Sequence, residues 1–189
     1  MRPTITHTEL YSYLVTRHTG RAVRTNIEEQ LANVDRAALA VLDLRHVPLI
    51  DFSCADEVVA KLVVLTSCEG PHPRFVLFRG VAEHHLEPIE SALVRQGLAA
   101  ACESAEGEPL LVGTLEPEAA QAWLEIWALG HAEPAALAER LELSHEIVSV
   151  LLAELESRAL VIRDGEAYVS LGRALRDADE ASESADETN

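Results

Sequence analysis

Ser53 and the acidic residues around it form the segment whose residue types and spacing most readily suggest chemistry. Asp51 lies two positions before Ser53, and Asp56 and Glu57 follow within the next helical turn. A serine at the start of a helix exposes its hydroxyl where the helix dipole tolerates an added phosphate. The simplest interpretation is that Asp51 or Ser53 caps the helix.

Histidine and cysteine could support a metal site, but their spacing argues against one. His84 and His85 are adjacent in a predicted helix, so their rings point about 100° apart and cannot chelate from one face. Cys68 and His72 share one loop and have no second pair at a matching spacing. We predict no metal site and no cofactor.

The sequence also lacks the usual signatures of an enzyme. It contains no glycine-rich phosphate loop, no nucleophile-elbow serine and no cysteine with a recognisable histidine partner. Paired-carboxylate active sites normally draw on separate strands or loops, whereas Asp51, Asp56 and Glu57 crowd one helix start. We therefore predict that the protein is not an enzyme.

The net charge of the 189-residue chain is −17, and the acidity is spread along the whole chain. Residues 1–115 carry 10 basic and 15 acidic side chains, residues 116–176 carry 5 and 11, and residues 177–189 carry none and 6. No segment has the basic surface that phosphate binding usually requires, so DNA binding is disfavoured.

The apolar residues of the chain favour a cytoplasmic protein that does not contact a membrane. Hydrophobic residues make up 48% of the sequence, which suffices for packed cores. No apolar run approaches the roughly 20 residues of a membrane span, and the N-terminus does not resemble a secretory signal. Three widely spaced cysteines are typical of reduced thiols in a reducing compartment.

Strands that alternate with helices predict an α/β domain with a mixed sheet over residues 1–115. A continuous apolar run at 38–44 is typical of a central strand that is covered on both faces. The predicted helices cover residues 21–32, 54–66 and 81–96. The predicted strands cover residues 9–16, 38–44, 74–79, 98–102 and 110–112.

The stretch from Val41 to Glu57 resembles the signature of the STAS superfamily, which includes the anti-sigma-factor antagonists. The shared features are a buried strand that ends in Asp43, an Ile-Asp pair that ends in Asp51, and Ser53 at a helix start. The form Phe-Ser-x-Ala-Asp-Glu is closest to a STAS-like group that is often found beside histidine-kinase-type ATPase partners.

The resemblance implies a STAS-like domain that recognises a protein partner, such as a kinase-type ATPase or a regulator. In the antagonists a protein kinase phosphorylates the serine at the position of Ser53, and the phosphate controls release of the partner. The resemblance therefore implies a phosphorylation or partner switch at Ser53 and Asp51, and the alternative is that one of them only caps the helix. The implied partner surface includes Cys54, which stands where the antagonists usually have Gly, together with Asp56 and Glu57.

Residues 116–176 follow the order helix, helix, helix, hairpin, which is similar to winged-helix domains. The predicted helices cover residues 117–129, 135–141 and 144–159, and the predicted strands cover 160–163 and 166–171. Trp123 and Trp127 lie one helical turn apart. They predict a packing stripe, and the alternative is an aromatic surface for dimerisation.

The third of these helices enters the major groove in DNA-binding winged-helix domains. Here we expect its core side to contain Ile147, Val148, Leu151 and Leu155. Its other faces carry several glutamates and little positive charge, so the helix suits a protein contact better than a DNA groove. The predicted contact surface comprises His145, Ser149, Leu152, Glu156, Arg158 and Arg163.

These observations favour a non-enzymatic signalling or transcription-regulatory adaptor that acts through protein contacts. One alternative is a DNA-binding regulator whose first domain senses a signal or forms a homodimer, with an arginine patch at Arg158, Arg163, Arg173 and Arg176. Another alternative is a structural subunit of a larger assembly. The acidic, aromatic-free residues 177–189 are expected to be a disordered tail.

Overall fold

The structure, a computed structural model, describes residues 2–66 and 72–186, and residues 182–186 only by their backbone. A π-helical turn, Asp56–Ala60, joins the short helices Phe52–Ala55 and Lys61–Leu65 into one interrupted helix. The elements of the first half are β1 Thr4–Glu9, α1 Arg17–Ala32, β2 Ala38–Asp43, α2 Phe52–Ala55, α3 Lys61–Leu65, β3 Arg74–Val81, α4 Glu83–Val94, β4 Ala99–Ser104 and β5 Pro109–Gly113.

The five strands form one mixed sheet in the order β1-β2-β3-β4-β5. Strands β1 to β4 are parallel, and β5 pairs antiparallel with β4 at the edge. Each parallel pair is joined through at least one helix, as a parallel connection requires. The structure therefore confirms a mixed α/β architecture.

Alternate residues of the central strands enter two different cores. On β2, Ala38, Ala40 and Leu42 pack with helices α1 to α4. Leu39 and Val41 lie in the second core on the opposite face. All six residues of β2 are buried, which confirms the prediction of a strand covered on both faces.

The second core is completed by the C-terminal part of the chain. The elements there are α5 Pro117–Leu129, β6 His131–Ala132, α6 Pro134–Leu141, α7 His145–Ser157, β7 Val161–Asp164, β8 Ala167–Ser170 and α8 Leu171–Asp186. The three strands form a small sheet in the order β6-β8-β7. This core crosses the predicted boundary at residue 116, because it takes side chains from both sides of it.

Trp123 and Trp127 are both buried in this second core, with ring centroids 5.0 Å apart. The indole N–H of Trp123 donates to the carbonyl of Leu160 at 3.2 Å. The predicted packing stripe is therefore confirmed.

The first strand lies earlier in the chain than the sequence predicts. β1 covers Thr4–Glu9, whereas most of the predicted strand over residues 9–16 is an irregular loop. Leu10 and Leu14 are buried at a spacing of four, which does not match the two-residue period of a strand. The threonine-rich edge strand has no continuous apolar run, so the sequence pattern missed it.

Residues 177–186, which we predicted to be part of a disordered tail, continue helix α8 in the structure. The first turns of α8 pack against the second core through the buried side chains of Leu171, Ala174 and Leu175. An i,i+4 ion pair between Arg173 and Asp177, at 2.6 Å, supports its continuation. Residues 187–189 lie outside the described residues.

Cys54 and Cys102 are buried free thiols, and Cys68 lies outside the described residues. No helix in the described ranges combines the length and the apolar character that crossing a membrane would need.

Candidate functional site

Asp51 organises the start of α2. Its Oδ1 atom accepts hydrogen bonds from the backbone N–H of Cys54 and from the hydroxyl of Ser53, each at 2.8 Å. The backbone of Asp51 is extended, as an N-cap residue requires. Of the two predicted roles, capping therefore belongs to Asp51, and the half-buried Ser53 hydroxyl is a second donor to the same oxygen.

A parallel bridge connects the loop after β1 to the loop after β2. The N–H of Leu14 donates to the carbonyl of Leu49 at 2.9 Å, and the N–H of Asp51 donates to the carbonyl of Leu14 at 2.8 Å. Leu14 and Ile50 are the bridged residues, and both are buried. The bridge fixes the loop after β1 directly beside the cap of α2.

Exposed apolar side chains surround this bridge. We call Tyr11, Tyr13, Val15 and Leu49 the tyrosine patch. Tyr13 and Val15 flank Leu14, and Leu49 precedes Ile50, so alternation along an extended chain turns them away from the core. Tyr11 and Tyr13 are 65% and 62% exposed, whereas the six other aromatic residues are buried or half-buried.

The tyrosine patch has the composition and the position of a binding surface. Tyr11 stacks on His46 with ring centroids 5.2 Å apart, which orients one of the two exposed rings. Both loops follow parallel strands, and α/β sheets commonly bind ligands beyond the carboxyl ends of their strands. Exposed tyrosines are enriched at protein interfaces, so the patch is a candidate contact surface for a protein.

Asp43, the last residue of β2, fixes the start of the loop that follows β2. Its carboxylate accepts hydrogen bonds from the backbone N–H and from the guanidinium of Arg45. Burial alone would raise the pKa of Asp43, but the hydrogen bonds from Arg45 outweigh it and lower the pKa. Asp43 therefore has a structural role at the end of β2.

Cys54 does not lie on the predicted partner surface, because it is fully buried. Helix α1 approaches α2 closely at Gly20, where an added Cβ would lie 2.9 Å from the Cβ of Glu57. The Cys54 thiol donates to the carbonyl of Thr16 at 2.8 Å. Burial raises the pKa of this thiol, as in an unreactive structural cysteine.

Glu57 is also fully buried and forms the centre of an ionic cluster. Its Oε1 atom accepts from Arg17 at 2.8 Å and from Lys61 at 2.5 Å, and Oε2 lies 3.5 Å from Arg24. Burial alone would raise the pKa of Glu57. The hydrogen bonds from Lys61 and Arg17 outweigh burial and hold the pKa below its ordinary value.

Asp56 is the only one of the three predicted partner-surface residues that is not fully buried. Its carboxylate accepts from Arg17 at 3.0 Å and from the side-chain amide of Gln96 at 3.1 Å. These contacts tie the π-helical turn to α1 and to the chain just after α4. The partner surface predicted at Cys54, Asp56 and Glu57 is therefore corrected to a mainly structural cluster.

The exposed face of α7 differs from the prediction in two apolar residues. Leu152 is buried although we expected it on the contact surface, and Ile147 is 45% exposed although we expected it in the core. The helix is rotated so that Val148, Leu151, Leu152 and Leu155 face inward. His145 and Ser149 are exposed as predicted, and Val150 is 68% exposed.

Three charged residues of the predicted α7 surface have partners within the protein. Arg158 donates to the carbonyls of Gly97 and Thr114, each at 3.2 Å, and so connects the C-terminal part to the residues just before β4 and just after β5. Arg163 lies 3.8 Å from Glu156. Arg158 also pairs with Glu154 at 3.2 Å. These two ion pairs reduce the positive charge that this surface can offer to a phosphate.

Among the described residues, no group of three or more histidine, cysteine or acidic side chains could hold a metal ion. His85 is buried, and its Nε2 atom lies 2.8 Å from the carbonyl of Val47. This contact, together with a hydrogen bond from the N–H of Ala82 to its Nδ1 atom, explains His85 as a structural histidine.

Sequence reasoning missed the two features that define the site most clearly. The β-type composition of residues 9–16 predicted a strand and so concealed the exposed tyrosines. A signal was nevertheless present: Leu10 and Leu14 are four residues apart, and if both face the core, Tyr11 and Tyr13 need not face it. Two of the three cations around Glu57, Arg17 and Arg24, come from α1, 40 and 33 residues away along the chain, and no local pattern indicated them.

No protein-family model matches this chain, and no curated protein matches it.

Proposed function

We propose that this protein is a non-enzymatic signalling or transcription-regulatory adaptor that binds a protein partner through the tyrosine patch. The observation that carries the proposal is the pair of exposed tyrosines, Tyr11 and Tyr13, on a loop bonded directly to the cap of α2. Aromatic side chains supply large contact areas at low entropic cost. Their exposure in a chain whose other aromatic residues are covered favours an interface.

Ser53 provides a physical means of switching this surface. Its hydroxyl donates to Asp51, and the backbone of Asp51 bonds to Leu14 in the middle of the patch loop. A phosphate on Ser53 would replace this donor by about two negative charges beside a carboxylate. The resulting repulsion would weaken the cap and loosen the loop that carries Tyr13.

The finer assignment of the fold belongs to the same proposal. A STAS-like domain over residues 1–115 is supported by the alternating strands and helices and by Ser53 at a helix start. A winged-helix domain over residues 116–176 is supported by the order of α5, α6, α7 and the β7–β8 hairpin. On this assignment the partner is a kinase-type ATPase or another regulator, and the location is cytoplasmic.

A structural subunit is the second candidate function, and one observation favours it. Ile147 and Val150 leave apolar surface on α7 that a larger assembly could cover. DNA binding through α7 has less support, because Glu146 lies on the exposed side and Arg158 and Arg163 are already engaged.

Replacing both patch tyrosines should strongly weaken partner binding without loss of the fold. We expect Tyr11→Ser/Tyr13→Ser to reduce retention of the partner by about tenfold or more, because exposed aromatic anchors dominate interface energies. The measurement is affinity purification of the tagged full chain from its own cells, with and without nuclease, and quantification by mass spectrometry. Leu124→Ser, an exposed apolar change on α5, is the matched control and should retain the partner.

A partner that survives nuclease and is lost only from the double variant supports the adaptor. Equal retention by both variants would remove the tyrosine patch from the proposal. Recovery of DNA-associated proteins alone, and their loss on nuclease treatment, would replace the adaptor by the DNA-binding alternative.

Ser53→Asp should mimic the charge of a phosphate and lower both stability and partner affinity. We expect about 1 kcal/mol less free energy of unfolding, because the change removes the hydroxyl donor to Asp51 and places a second carboxylate beside the cap. This loss exceeds the stabilisation that the helix dipole gives to an anion at the same position. Ser53→Ala removes the hydroxyl without adding charge and should retain the partner. Urea denaturation and the same affinity purification measure the two effects, and equal partner binding by both variants would argue against a switch at Ser53.

A further inference from the structure

A groove of about 650 Å³ lies between the start of β1 and the C-terminal part of the chain. Residues 2–5 and Arg36 line one side, and Leu129, Val169 and the first three turns of α8 line the other. Its volume lies in the range of roughly 300–1,000 Å³ that small-molecule sites occupy, and such sites often form where two parts of a protein meet.

Half of the residues that line the groove are apolar. Small side chains of α8 leave room for a ligand beside larger aliphatic groups from β1, α5 and β8. The apolar lining comprises Pro3, Ile5, Leu129, Val169, Ala174, Ala178 and Ala181.

Arg36 supplies a cationic group to this groove. Its Nε atom donates to the Thr4 hydroxyl at 2.5 Å, which orients the guanidinium. Within the described residues its two terminal nitrogens make no hydrogen bond or ion pair, and Arg2 lines the groove nearby. An oriented guanidinium with free terminal N–H groups is suited to bind a carboxylate or a similar planar anion.

The acidic residues of the groove are engaged within the protein. Asp177 pairs with Arg173 at 2.6 Å. Asp164 also interacts with another group of the protein and is not free. The charge available to a ligand is therefore positive, in a chain whose net charge is −17. The positive charge of the groove therefore selects the ligand together with the shape of the groove.

We propose that the groove binds a small amphipathic carboxylate, with the carboxylate on Arg36 and the apolar body against Ile5, Leu129 and Val169. Because both parts of the chain line the groove, such a ligand contacts both of them at once. The site is separate from the tyrosine patch and does not depend on the proposed partner. It adds small-molecule sensing to the functions of this chain.

The test is a ¹H–¹⁵N NMR titration of the full chain with sodium octanoate, a probe with one carboxylate and an apolar tail. Saturable shifts are expected at the amides of Ile5, Val169 and Ala178. Octan-1-ol, which has the same tail without the charge, should bind at least about tenfold more weakly, because it cannot form the charge-assisted pair with Arg36.

Arg36→Gln removes the proposed anchor at an exposed position and should weaken octanoate binding about tenfold. Arg176→Gln makes the same change of net charge on the exposed side of α8 and should leave the affinity unchanged. A second variant, Leu129→Glu, places a carboxylate on the opposite wall and should also weaken binding. The NMR spectra themselves report whether each variant is folded.

Three results would overturn the proposal. They are no saturable shifts at the groove amides, equal affinity for octanoate and octan-1-ol, or equal affinity of the wild type, Arg36→Gln and Leu129→Glu. Loss of affinity in both groove variants, with the Arg176→Gln control unchanged, would establish the site.

Discussion

Replacement of Trp123 by alanine is expected to lower the free energy of unfolding by about 4 kcal/mol, the middle of the range for deleting a buried aromatic side chain. Trp123 is 1% exposed and packs in the core that joins the first sheet to α5, α7 and α8. The change also leaves the carbonyl of Leu160 without its indole donor. Urea denaturation monitored by circular dichroism measures the loss.

Leu124→Ala is the matched control for this change, because Leu124 lies next to Trp123 on α5 but is exposed. Its expected effect is below about 0.5 kcal/mol. Since the second core takes residues from both parts of the chain, the wild type should unfold in one transition. Two separate transitions, with Trp123→Ala affecting only one, would contradict a shared core.

Replacement of Glu57 by glutamine is expected to cost about 3 kcal/mol, because it removes the carboxylate on which Arg17, Arg24 and Lys61 converge. The three cations would then face a neutral amide that is fully buried. Because the cations themselves are partly exposed to water, the loss of free energy of unfolding stays near this value. Glu28→Gln removes a partly exposed carboxylate that also pairs with Arg24, and should cost less than about 1 kcal/mol.

The stability difference between wild type and Glu57→Gln should depend on pH. The folded protein lowers the pKa of Glu57, so its ionised form contributes stability above the unfolded pKa of about 4.3. That contribution is lost as the pH falls through the lower pKa of the folded state. The difference in free energy of unfolding between the two proteins should have its largest value near pH 7 and decrease below about pH 4. A difference that is constant down to pH 3 would contradict an ionised, cation-bound Glu57.

The two proposed surfaces lie at opposite ends of β1. The carboxylate groove includes Thr4 and Ile5, and the tyrosine patch begins two residues after Glu9. A six-residue strand separates them by roughly 20 Å. Partner binding and ligand binding can therefore be tested independently, and the variants of one surface are controls for the other.

The sequence by itself determined the elements whose patterns are local. The apolar run of β2 indicated a strand buried on both faces, and its six buried residues confirm this. Pro117, Pro134 and Ser144 marked the starts of α5, α6 and α7 within one residue. Asp51 was one of two predicted capping residues, because an N-cap depends on neighbours within three positions.

Only the tertiary structure decided which side chains are covered and which charges meet. Cys54 and Glu57 follow Ser53 closely in sequence, yet the close approach of α1 at Gly20 buries both of them. Leu152 and Ile147 exchanged their predicted places because the rotation of α7 is set by the core that it packs against. Residues distant along the chain meet where Arg17 and Arg24 reach Glu57. They also meet in the walls of the groove and in the setting of the tyrosine patch. Local periodicity carries no information about such contacts, because they depend on how the elements pack.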